Sequence, residues 1–410
     1  MNWCRFCKAF REVDDDQNEK ELASCMLVLR LLMRVKADIP IWFSPASFFG
    51  WVLGLLALGS WWLASMSPYW TDEIYSQKIF FWLSGALSWL PGQVPFSISD
   101  LLLALLILAL VLNPIRFFIW SDPYGLTGWR LLIKALISEL AICWVVFALL
   151  IFLWGLNYQR QSTEQLFKVR APLSEQERQQ ALDWAVENTN ELRLILAEDN
   201  GDWLHCGVGP QWRSEHSPYG VSAAAVAQWE RQVMGIEQAW LGRWQLPVQT
   251  TVATRSLLAS QLFKELGLAG VYNPLLAQPN VNRFLHPLVM PFTIAHERAH
   301  FNGFADEDSA NLVSYLMFWQ ADDPYLQYSA WVHFWLSVGR HPTLDKEVAR
   351  DLDCVHRYNQ QWRSHPAKEK MWQSYDKILK AAGSEQGVKS YRQGEELALR
   401  AFYQPAMPPN

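Results

Sequence analysis

Residues 291–311 read PFTIAHERAHFNGFADEDSAN and gather side chains able to do metal chemistry. His296, Glu297 and His300 form H-E-x-x-H, and histidines four apart on an α-helix share one face, close enough to bind one small cation. Imidazole nitrogen suits zinc, and a catalytic zinc takes three protein ligands and keeps the fourth tetrahedral position for water. Glu297, beside the first histidine, is placed to accept a proton from that water as it attacks a carbonyl. The expected cofactor is one Zn2+ ion, with Glu297 as the catalytic base.

The histidines need a helix beneath them and a third ligand from a neighbouring element. Pro291 suits a first helical turn, and Gly303 suits a left-handed C-terminal cap. Phe292, Ile294, Ala295 and Ala299 can pack the helix. A second helix is predicted from Asp306 or Glu307 to about Gln320, brought back beside the histidines by the short loop. A bare H-E-x-x-H also arises as a solvated amphipathic helix; the glycine and the carboxylate at ligand distance set this one apart.

Two adjacent carboxylates compete as third ligand. Asp306 falls where H-E-x-x-H-x-x-G-x-x-D is similar to the metzincin pattern. Glu307 begins E-x-x-A-N, which resembles the E-x-x-A-D signature of membrane gluzincins. Glu307 is the better placed: Asn311, one turn later on the same face, can then orient a ligand imidazole. Asp306 becomes an N-cap.

Four stretches carry a wider resemblance: WGLNYQR (154–160), GVYNPLLAQPNVN (270–282), the metal stretch itself, and YDKILKAAGSEQGVKSY (375–391). On these the chain resembles domain-of-unknown-function family 3810, bacterial membrane proteins with N-terminal spans followed by an H-E-x-x-H domain. The resemblance implies His296, His300 and Glu307 as ligands and Glu297 as base in a gluzincin-type peptidase. Members often read P-F-T-G-E-A where this chain has Pro274, Leu275, Leu276, Ala277 and Gln278, so a carboxylate near the substrate edge is missing and substrate preference does not carry over.

Composition divides the chain. With 51% hydrophobic residues and 23 tryptophans in 410 residues, a membrane part and a soluble part are expected. The net charge of −5 is mild and unclustered, which excludes a nucleic-acid partner. Residues 1–38 read as a charged cytoplasmic tail with no cleavable signal peptide; Cys4 and Cys7, a lone C-x-x-C, read as free thiols. Residues 39–157 read as a membrane domain with three transmembrane helices at about 48–66, 98–119 and 137–156. An apolar run at 79–90, ended by Pro91-Gly92, reads as an interfacial helix.

Arg30, Arg34 and Lys36 precede the first span, and Arg116, Arg130 and Lys134 surround the loop before the third; the loop between the first two has only Lys78. The amino terminus is therefore expected inside a bacterial cytoplasmic membrane, and residues 158–410 outside it. Cys206 and Cys354 fall where a disulfide is permitted.

The outer domain is expected to be zincin-like, mostly helical with a small β-sheet. A capping box, Ser174 and Glu177, precedes a helix at 175–198; a second helix covers 222–240. His205 and His216 read as surface histidines in an irregular loop. Alternation in 247–253 predicts a half-buried strand, and 270–282 a second strand or hairpin, an edge to which a peptide substrate could add as a strand. Helices follow at 329–338, 344–363, 367–381 and 395–402. Tyr328, His333, Arg340, His341 and His356 could each stabilise an oxyanion, and no spacing singles one out.

These features lead to the expectation of a multi-pass, membrane-anchored zinc metallopeptidase whose partners are the bilayer and a peptide or protein substrate. The alternative is a non-hydrolytic receptor or assembly factor stabilised by metal. A transporter is disfavoured, since the spans carry almost no ionisable residue in their interiors.

Overall fold

A computed structural model describes residues 44–119, 126–200, 213–214, 217–221, 223–339, 341–360, 364–381 and 391–403. The amino-terminal tail with Cys4 and Cys7, the residues His205, Cys206 and His216, and Arg340 lie outside the described residues.

Mostly apolar sequence gives the first helices: α1 (Pro45–Ser65), then one helical stretch through Pro68–Trp70, π-helical Thr71–Phe80 with its charged residues and α2 (Phe81–Gly92), then α3 (Ser99–Ile119) and α4 (Gly128–Leu153). After a 3-10 turn (Gly155–Gln159) and a short helix (Thr163–Leu166) come α5 (Glu175–Asn200), a small hairpin of β1 (Arg213–Ser214) and β2 (Ser217–Val221), and α6 (Ala223–Arg243). The remainder is β3 (Arg255–Ser256), α7 (Ser260–Leu266), β4 (Gly270–Asn273), β5 (Gln278–Val281), α8 (Met290–Phe301), α9 (Glu307–Trp319), α10 (Pro324–Val338), α11 (Lys346–Gln360), α12 (Lys368–Ala381) and α13 (Tyr391–Tyr403).

The chain forms two compact units, residues 1–56 with 106–147 and residues 57–105 with 148–410. In the first, Gly50 and Gly54 let α1 approach α4 against Ala141 and Trp144, and Asn113 donates to Ser138 at 3.1 Å. The second holds every candidate ligand. It takes in residues 57–105 together with the helices after residue 148.

Among the described residues two helices, α1 and α4, are long and apolar enough to cross a membrane. The expected second span at 98–119 is helical as α3, but its apolar stretch is shorter, Ser99–Ile115, and it carries Asn113 and Pro114. The expected interfacial helix at 79–90 is the later part of the longer Pro68–Gly92 stretch.

In the second unit, α8 and α9 form the centre, and α5, α6, α10, α11 and α13 cover them. Trp229, Trp240, Phe292, Tyr315, Phe318, Tyr328 and Trp331 fill the core; the WVHFWL stretch is core. The capping box at α5 forms as its spacing predicts: Ser174 N–H donates to Glu177 at 2.9 Å, and Glu177 N–H to Ser174 Oγ at 3.3 Å. The sheet has order β3-β5-β4, β3 parallel and β4 antiparallel to β5, with Gly270 opposite Val281 and Asn273 opposite Gln278.

The predicted strand at 247–253 is absent. Its backbone groups are taken by side chains instead of a ladder: Arg298 donates to the carbonyls of Gln249 (2.7 Å) and Val252 (3.3 Å), and Gln249 N–H donates to Asn302 Oδ1 (2.7 Å). Satisfied in this way, the segment runs extended without a pairing strand.

Candidate metal centre

Helix α8 begins with Pro291 in its first turn. It ends at Gly303, whose φ of +85° is left-handed. There Gly303 N–H donates to His300 O (2.9 Å) and Phe304 N–H to Ala299 O (3.1 Å), a Schellman closure that turns the chain back toward α9. Asp306 occupies the N-cap position of α9, but its side chain makes no capping bond.

The turn brings His296, His300 and Glu307 together, one ligand atom from each lying within 4.8 Å of the others. Glu307 Oε2 is 3.1 Å from His296 Nε2 and 3.5 Å from His300 Nε2. Both rings are held from behind. Asn311 Oδ1 accepts from His296 Nδ1 at 2.8 Å, and Phe304 O accepts from His300 Nδ1 at 2.7 Å. Since an amide or carbonyl oxygen only accepts, Nδ1 carries a proton on each ring and Nε2 is the nitrogen turned toward Glu307. Asp306 stands outside this cluster.

Glu297 is buried beside the cluster, and its Oε2 has no hydrogen-bond partner. Its other carboxylate oxygen lies against Gly270 on β4; a Cβ there would come within 2.3 Å of Oε1. Burial pushes the Glu297 carboxyl up to about 8, against the pull of His300 and with a further push from Glu307. Burial would lower His300, but its hydrogen bond and charge pairing with Glu307 raise it to about 9. Glu307 is held well below the usual carboxylate range, burial being outweighed by both histidines.

Aromatic side chains complete the surroundings. Tyr375 on α12 donates to Glu307 Oε1 at 2.6 Å, so that Oε2 alone faces the histidines. Trp154 meets His300 edge-on, ring centroids 5.7 Å apart, and packs on Tyr272 of β4 at 4.7 Å. Burial raises the Tyr158 phenol, and the charges of Glu307 and Asp306 raise it further. Spacing could not find Tyr375, 68 residues beyond Glu307. The available signal was that Trp154, Tyr272 and Tyr375 stand in the other three stretches that carry the resemblance.

Four of the five residues considered as oxyanion donors bond elsewhere. Tyr328 bonds Asp351 in the core, and His333 bonds Tyr315 and stacks on Phe292. His341 and His356 pair with Thr343 and Gln360 at exposed sites; Arg340 is outside the described residues.

The support beneath the site is ionic. Arg298, fully buried, reaches Glu237 Oε2 through Nε (2.8 Å) and Nη2 (2.6 Å) and Glu230 Oε1 through Nη1 (2.9 Å). On the far side of the loop, Arg160 pairs with buried Asp72 at 2.6 Å and donates to Gly303 O at 2.9 Å. The donor set is of the kind zinc takes: two inward nitrogens and one carboxylate oxygen, each fixed by an outer partner, beside an unpartnered buried carboxylate.

Fold and site thus define a mostly helical protein with two helices able to span a membrane and a histidine–glutamate cluster on adjoining helices. The family model for proteins of unknown function (DUF3810) matches residues 75–399, and the chain belongs to that family. Neither the curated proteins nor the solved structures compared with it give a match.

Proposed function

We propose that this protein is a membrane-anchored zinc metallopeptidase that hydrolyses peptide bonds, with His296, His300 and Glu307 holding one zinc ion and Glu297 as general base. The observation that carries the reading is the buried Glu297 carboxylate, free at Oε2, beside three converging ligand atoms. When bound, zinc supplies Lewis-acid chemistry, polarising a carbonyl and acidifying water.

The rest falls to the chain. Glu297 takes a proton from the attacking water and passes it to the leaving amine. Asn311 and Phe304 O hold the imidazoles in the ligating tautomer, and Tyr375 restrains Glu307. β4 pairs with β5 on one side, and its other edge, next to Glu297, offers backbone groups to an extended peptide. A metal that only stabilised the fold would have closed coordination and no use for a base alongside.

The location that fits is a bacterial cytoplasmic membrane, crossed by α1 and α4 with α3 as a third span, amino terminus inside and the cluster outside. Lysine and arginine placement supports that orientation. So does Cys354, which is disulfide-bonded, a state that belongs to oxidising compartments.

The test is E297Q in the full-length protein. The variant is expected to bind zinc as the wild type does and to lose cleavage of a peptide library by about 10²–10⁴-fold. Equal cleavage by both proteins, or no zinc-dependent cleavage by the wild type, ends the peptidase reading.

A further inference from the structure

Helix α2 is built the wrong way round for water. Its buried face is small and polar, Ser84 and Ser88 with Pro91, while Trp82 is 71% exposed, Trp89 65% and Leu90 54%. Ile79 and Phe96 at either end are also exposed. From Ile79 to Ser99 there is no charged residue.

The polar face is bonded into the unit that carries the metal cluster. Gln249 Nε2 donates to Ser84 Oγ at 2.8 Å and to the Phe81 carbonyl. Thr251 and Ser88 share a hydroxyl hydrogen bond. Past the helix, Ile98 N–H and Ser99 Oγ donate to Gln278 Oε1 of β5 at 3.2 and 2.9 Å, and Leu258 N–H donates to Asp100 at 2.9 Å. Helix α2 and the residues after it are therefore fixed to the segment and sheet beside α8 through their polar atoms, and the aromatic side is left outward.

At 12 residues, α2 is too short to cross a bilayer but suited to lie in its interface, where tryptophan is favoured. The occupant is indicated by continuity: α1 ends just before this stretch with Trp62 and Leu63 exposed, and α3 leaves it with Leu101, Leu103 and Leu105 exposed. Leu258, next to Asp100, adds an exposed apolar residue from the cluster-bearing side.

We propose that the segment from Ile79 to Phe96 lies in the plane of the bilayer interface, with Trp82, Trp89, Leu90 and Phe96 among the lipids, so that the metal cluster works at the membrane surface. This rests on the membrane anchoring proposed above, not on the peptidase chemistry.

The experiment places a nitroxide label at W82C, W89C or F96C, and at Q179C as an aqueous control, in full-length protein whose other thiols outside the disulfide are replaced by serine. The protein is reconstituted in vesicles of phosphatidylethanolamine and phosphatidylglycerol. The relative accessibility to oxygen over a water-soluble nickel complex is expected to be several-fold higher at 82, 89 and 96 than at 179. Labels as open to nickel as position 179, or shielded from both reagents as under a protein partner, overturn the proposal while the protein remains with the vesicles. Loss of the protein from the vesicles in alkaline carbonate instead rejects the anchoring itself.

Discussion

Tyr375 governs how Glu307 can act. With Oε1 engaged by the phenol at 2.6 Å, the carboxylate presents a single oxygen to the histidines. Outer partners of metal ligands typically contribute 10–100-fold in affinity. Y375F is therefore expected to weaken zinc binding by about 10–100-fold, read by competition with a chromogenic chelator, and unchanged affinity would remove Tyr375 from the site. The meeting of His296, His300 and Glu307 was legible because the histidines stand one helical turn apart and the glycine turn returns Glu307 beside them. Tyr375 and Trp154 were not, since their place depends on how distant elements pack. Asp306 shows the limit of a local rule: it holds the cap position without making the capping bond.

At the scale of elements, α8 is held by what its sequence motif leaves unspecified. Arg298 is an x in H-E-x-x-H, yet it is fully buried and binds two carboxylates and two carbonyls. Removing one partner of a buried ion pair costs about 3–5 kcal/mol, because the charges left behind lose both water and partner. R298M is expected to lose about that much stability in detergent-solubilised protein followed by thermal unfolding, and R298M/E230Q/E237Q to recover part of it. The same arginine explains why 247–253 reads as a strand and is not one: the alternation of Val248, Thr250 and Val252 does not follow burial, since Gln249 and Val252 are buried and Thr250 is exposed, and the carbonyls go to a guanidinium. The helices and the β4–β5 hairpin were legible, since caps, periodicity and turn residues are local signals.

For the whole molecule, buried histidines set a dependence on acid. Burial, with Lys264 nearby, lowers His286 to about 3, and its Nε2 has no partner; burial lowers His333 to about 3 as well. The unfolded chain binds a proton at each near pH 6.5, which the folded chain refuses. Their stabilising contribution is complete above pH 6.5 and is lost as pH falls toward 3, by up to about 1.4 kcal/mol per pH unit for each histidine. H286N should flatten the wild-type decline in unfolding free energy between pH 6 and 4 by about one proton's worth; parallel curves would show that His286 is not held neutral. No sequence pattern marks such a histidine, because burial belongs to the packed whole.

The ion pair between Arg160 and Asp72 also bears on how this chain can be taken apart. A fragment cut at the end of α4, after the last helix long enough to cross a membrane, keeps the guanidinium that braces Gly303 and discards its acid, along with Ser84, Ser88 and Asp100, to which the fragment's own polar groups are bonded. What such dissection leaves is a half-open interior, so the smallest autonomous piece reaches back past α2, and the histidine–glutamate cluster and the greasy segment beneath it must be inherited, expressed and purified as one.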